Sequence, residues 1–183
     1  KADAKFESSS FAISALDSLD IAVYGTGEVT LATHAIKRTD EEIYPYEDFK
    51  TYNNAMRISI QAVTLSLDKS SKTTINGIQA FNTIKGNGTI TVNSPSNGAK
   101  TDDGVLIIVN GDNTASYTGF KGTINGSHAN VGLFSKTSDA DAFDYHIFRY
   151  VTVDLDNLIV YGPSVLMISG DTNIDNVDNV WLR

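Results

Sequence analysis

Four residues near the end of the sequence have the types and spacing to do chemistry. Asp156 and Asn157 recur as Asp178 and Asn179, and the apolar Leu155, Leu158 and Val160 around them recur as Val177, Val180 and Leu182. A strand-like unit that returns after one short interval is a mark of stacked β-structure. If the interval is one coil, equivalent residues lie about 4.8 Å apart, the spacing of neighbouring strands. Two carboxylates that close can share a proton or act as the pair of a retaining glycosidase, whose carboxyl groups stand about 5 Å apart. The same spacing has a simpler use. Stacked asparagines hydrogen-bond along a ladder, and aspartates at turns accept backbone N–H groups. The ladder is the stronger reading of the asparagines, and Asp156 and Asp178 are the candidate catalytic residues.

Two other clusters carry chemistry. Asp139, Asp141 and Asp144 alternate along Ser138–Asp144. Alternating carboxylates in a loop can gather a hard cation such as Ca²⁺, although the glycine and distant glutamate of an EF-hand are missing. The competing reading is a solvated acidic loop. Tyr44, Tyr46, Phe49 and Tyr52 fall together with Glu47 and Asp48. Rings beside carboxylates suit sugar binding, because a ring stacks on the apolar face of a pyranose and a carboxylate accepts hydroxyl protons. A lid packed on the core would use the same rings. His34, His128 and His146 are isolated, and HExxH, GxSxG and a phosphate-binding glycine loop are absent. No cofactor is therefore expected beyond Ca²⁺, and the balance leans away from an enzyme.

The 183 residues suit one ordinary domain or a segment of a longer fibrous protein. A formal charge of −8 argues against nucleic acid as the partner, and the basic pair Lys37-Arg38 is followed at once by Asp40, Glu41 and Glu42. With no cysteine there are no disulfides or thiolate zinc sites. No apolar run reaches membrane-span length, so no membrane insertion is expected. The opening residues lack an initiator Met and a signal-peptide pattern, which reads as a processed or cut fragment.

The elements that must position these clusters read as β. Residues 1–20 are rich in Ser and Ala, and Phe11, Leu16 and Leu19 could line a short helix capped by Ser8–Ser10, or an irregular arm. Ile21, Val23, Val29 and Leu31 alternate around Gly25-Thr26-Gly27, which predicts a β-hairpin. Residues 37–54 read as a loop, and Met56–Leu67 alternate with a parity shift after Ile60 that suggests a bulge or corner. From residue 73, short strands are cut by Asn76-Gly77, Asn87-Gly88, Asn97-Gly98, Asn110-Gly111 and Asn125-Gly126, each permitting positive φ. Residues 127–144 read as a second excursion, and strands are expected over Tyr145–Val153, Leu158–Tyr161, Val165–Ile168 and Val177–Leu182. This divides the chain into 1–54 (arm, hairpin and aromatic loop) and 55–183 (the β-repeat).

Two architectures fit. The repeat interval favours a short parallel β-helix or stacked β-coil; regular Asn-Gly turns also fit an antiparallel β-sandwich or prism. The phrases Ile84-Lys85-Gly86-Asn87-Gly88-Thr89-Ile90 and Asp175-Asn176-Val177-Asp178-Asn179-Val180 resemble right-handed parallel β-helices of the pectate-lyase-like style, found in bacteriophage tailspikes and tail fibres. That resemblance implies a homotrimeric structural and receptor-contact module, on a virion tail or extracellular, that meets host surface polysaccharide. It also leaves open a depolymerase fragment, either glycoside hydrolase or lyase. A bacterial surface adhesin or scaffold is the third expectation. Contact surfaces are expected on the excursions, Thr39–Asn54 and Ser127–Asp144.

Overall fold

The computed structural model describes residues 3–8, 19–33, 63–94, 104–110, 119–135, 144–160 and 164–182. Among them lie fifteen strands and no helix: β1 (Asp3–Ser8), β2 (Leu19–Val23), β3 (Glu28–Thr33), β4 (Val63–Leu67), β5 (Lys72–Asn76), β6 (Ile78–Phe81), β7 (Thr83–Gly86), β8 (Thr89–Asn93), β9 (Gly104–Asn110), β10 (Thr123–Asn125), β11 (Ala129–Ser135), β12 (Asp144–Arg149), β13 (Thr152–Val160), β14 (Ser164–Ser169) and β15 (Asn173–Leu182). Every pairing between these strands is parallel. That removes the antiparallel sandwich or prism.

The strands recur in order, and each return of the chain lays a new strand beside its predecessor. One wall runs β1-β3-β5-β8-β10-β13, and a second runs β6-β9-β11-β13. They are one sheet because β13 belongs to both. Its first residues pair β10 (Ile124 with Val153) and its last pair β11 (Val131 with Leu158). The sheet therefore bends sharply between Asp154 and Asn157. β15 repeats the bend one strand further on. A third surface holds β2-β4-β7, extended by a bridge from Gly86 to Phe120, and β12-β14 precede β13 and β15 in the same place in the chain order.

Parallel pairing in this order stacks like residues in rows. Thr73, Ile90, Ile124 and Val153 form one row, and Leu31, Ile75 and Val92 another. On the second wall Leu106, Val131, Leu158 and Val180 align, as do Phe81, Ile108, Leu133, Val160 and Leu182. Alternation explains which side each residue takes: in β4 Val63, Leu65 and Leu67 are buried while Thr64 and Ser66 are only partly so. Each fully buried Leu or Ile contributes about 1.5–3 kcal/mol of transfer free energy. On β15 the row members Val180 and Leu182 are exposed.

Several expectations change. Gly25-Thr26-Gly27 is not a hairpin turn: β2 pairs β4 and β3 pairs β1 and β5. The turn, closed by Gly27 N–H donating to Tyr24 O at 2.9 Å, is a corner between two surfaces. A hairpin and a corner make the same local demand, positive φ between alternating flanks, so the pattern could not separate them. Asp3–Ser8 is a strand, not an arm, and Leu19 opens β2; the rest of the expected helix lies outside the described residues. Within the supposed excursion 127–144, Ala129–Ser135 is the strand β11, buried from Ala129 to Phe134. The expected strand Tyr145–Val153 breaks at Tyr150, whose φ is +61°. The matching phrases Thr74-Ile75-Asn76-Gly77 and Thr123-Ile124-Asn125-Gly126 do not stack as equivalents, since Thr123 shares a row with Lys72 and Thr89.

Gly86 shows why a corner selects its residue. It ends β7 with φ +89°, and a Cβ there would collide with the Leu67 carbonyl of the preceding return. Only glycine meets both conditions without strain.

Candidate functional site

The repeat at Asp156-Asn157 and Asp178-Asn179 is one return of the chain. Leu155 pairs with Val177, Asn157 with Asn179 and Leu158 with Val180. The bend of β13 places these residues at the corner between the two walls. Asn157 Nδ2 donates to Asn130 Oδ1 at 2.6 Å, and Asn179 Nδ2 donates to Asn157 Oδ1 at 3.1 Å. Three asparagines on three successive strands thus form one ladder, anchored at the fully buried Asn130. Trp181 Nε1 donates to the same Asn157 oxygen at 3.1 Å. The expected pair was visible in sequence; Asn130 was not, because the preceding interval has a different length.

The register sets Asp156 beside Asp178. Asp156 Oδ1 accepts the backbone N–H of His128 at 3.1 Å, and its Oδ2 stands 3.8 Å from His128 Nδ1. His128 has φ +54°, and its carbonyl accepts Gly104 N–H at 2.8 Å. Asp156 therefore holds the bend between β10 and β11 by accepting the amide of a strained residue. Asp178 is exposed. The corner offers two neighbouring carboxylates and an imidazole on the surface.

Of the other predicted site residues, only Asp144 is among the described residues. Asp144 opens β12 opposite Ser164; Asp139 and Asp141 lie outside the described residues, so their cation loop does too. Tyr44, Tyr46, Glu47, Phe49 and Tyr52 also lie outside the described residues. Among the described residues no group of three His, Asp or Glu is placed to hold a metal. His146 is buried, its Nε2 3.0 Å from Phe134 O. No helix among the described residues is long and apolar enough to cross a membrane.

A second place went unread in the sequence. A cleft of about 380 Å³ lies on the outer face of β2-β4-β7, lined by Asp20, Tyr24, Ser66, Asp68 and Lys85 among others. Alternation puts Ala22, Ser66 and Lys85 in one outward row. Asp68 is fixed there because its Oδ2 accepts Gly25 N–H at 2.8 Å across the corner. Tyr24, at 75% exposure, stands at the rim. An exposed ring, a carboxylate, a hydroxyl and an ammonium group are the elements of a polar-ligand cleft. They come from three returns of the chain, so no local spacing announces them.

The fold and these surfaces define an all-β protein of stacked parallel strands. In comparisons with known proteins, no family model, no curated protein and no solved structure matches the chain.

Proposed function

We propose that the chain is a coil segment of a closed, right-handed parallel β-helix, serving as the rigid shaft of a homotrimeric tailspike- or tail-fibre-like assembly that contacts host surface polysaccharide. The Asn130–Asn157–Asn179 ladder carries the reading: it continues across three strands and fixes their register, as a rod requires. The outer cleft with Tyr24, Asp20 and Lys85 supplies ring and polar groups for a sugar. The tail-fibre assignment comes from the resemblance of sequence phrases. Light scattering in solution tests the trimer, and retention on immobilised bacterial surface polysaccharides tests the contact. A monomer that no polysaccharide retains refutes both parts.

The depolymerase reading draws on the juxtaposition of Asp156 and Asp178. It predicts that Asp156→Asn and Asp178→Asn each abolish release of reducing ends from a bound polysaccharide. Unchanged turnover in either variant removes the pair from catalysis.

A further inference from the structure

We infer that the corner at Tyr150 is a binding site for a carboxylate-bearing saccharide. The inference rests on the polysaccharide-contact reading and names the chemical class of the ligand and a place for it.

The first observation is backbone strain. Arg149 pairs with Ser169, so Tyr150 and Gly170 follow at the same point of successive returns. Both have left-handed φ, +61° and +63°, and Gly86 reaches +89° where β7 ends. Glycine takes this φ freely at position 170, and a bulky residue that takes it, as Tyr150 does, is an outlier. Strain of this kind persists where surrounding structure enforces it and marks functional positions. The ring is not used to fill the core, since Tyr150 is 43% exposed. It lies instead against Gly170, where an added Cβ would come within 3.1 Å of Tyr150 Cε1. The neighbouring return thus makes room for this ring.

The second observation is charge. Arg149 Cζ lies 5.2 Å and Lys121 Nζ 5.8 Å from the ring centroid. Lys121 comes from the previous return: Thr123 pairs with Thr152, which carries Lys121 to the level of Tyr150. Neither cation has a carboxylate partner among the described residues. The nearest acid in the chain order of the next return, Asp171, is exposed and pairs with neither. Arg149 Nη2 donates only to the Tyr150 hydroxyl, at 3.5 Å, and in a chain of net charge −8 two cations on one exposed ring are, among the described residues, a local reversal of sign. A guanidinium fork matches a carboxylate with two hydrogen bonds, an ammonium adds a second charge, and a tyrosine ring packs against the C–H face of a sugar. A carboxylate on a pyranose satisfies all three.

The test is calorimetric titration of the whole chain with a panel of uronic-acid and sialic-acid oligosaccharides, alongside neutral oligosaccharides, acetate and inorganic phosphate. At least one acidic oligosaccharide is expected to bind, more weakly as salt is raised, and neutral ones not at this site. Arg149→Gln should weaken it about tenfold or more, the loss of a hydrogen bond to a charged group. Tyr150→Asn, which keeps a residue that tolerates left-handed φ, should weaken it about fivefold with no fall in melting temperature. A merely structural Tyr150 would lower the melting temperature and leave the affinity of the folded protein unchanged, which overturns the inference. So does the absence of binding by every acidic oligosaccharide. Phosphate or acetate binding as tightly as the oligosaccharides shows an anion site only and overturns the saccharide assignment. Neutral or acidic glycans that bind both variants as tightly as the parent leave the polysaccharide-contact reading standing and refute this site.

Discussion

Replacing Asn157 with alanine removes the middle rung of the ladder, and its cost follows from what each neighbour loses. Asn130 is fully buried, and its Oδ1 accepts the shortest bond of the ladder, 2.6 Å from Asn157 Nδ2. Withdrawing a donor from a buried acceptor costs about 1–3 kcal/mol. The donors from Asn179 and Trp181 lie on the exposed side and turn to water, so each adds about 0.5 kcal/mol. The sum is roughly 2–4 kcal/mol for Asn157→Ala. Asn179→Ala removes only the outermost rung and should cost under about 1 kcal/mol. Asn157→Asp should cost at least as much as alanine, since a carboxylate cannot donate to Asn130 and sets lone pair against lone pair. Equilibrium urea denaturation measures all three. If Asn157→Ala lies within about 0.5 kcal/mol of the parent, or Asn179→Ala costs as much, the ladder does not hold the register.

Gly86→Ala should be among the most damaging small substitutions. It meets both a left-handed φ and the Leu67 carbonyl, and a loss of roughly 2–4 kcal/mol in urea titration is expected. Ile90→Ala opens a cavity in the row between Thr73 and Ile124 and should cost about 2–5 kcal/mol, read as a lower urea midpoint with an unchanged slope. Asp68→Ala frees the Gly25 amide on an exposed corner. Its cost should be about 0.5–1.5 kcal/mol, with faster hydrogen exchange at Gly25 as the local readout.

How far the sequence reached differs from element to element. Leu158 beside Val180 and Asn157 beside Asn179 were legible because one return had no insertion, so equal residues fell at a fixed interval. The alternation in Val63, Leu65 and Leu67 was legible because its period of two belongs to the strand itself. The hairpin was misread because β2 and β3 share a turn but not a partner. β11 was missed because residues on both its faces are buried, so no row of charged residues marks an outer side.

The Asp156-Asn157 repeat thus marks out what the sequence determined alone: β-strands, an acidic cysteine-free chain, and one interval of the stack with its asparagine ladder. Those properties are local, or repeat at constant spacing. Tertiary structure alone decided that the described strands pair in parallel, that Asn130 extends the ladder, and that Lys121 meets Tyr150 while Lys85 lines one cleft with Asp20 and Tyr24. The reason is physical. Insertions between returns change the interval without changing the register, because hydrogen bonding and row packing select the partner strand whatever length of chain lies between.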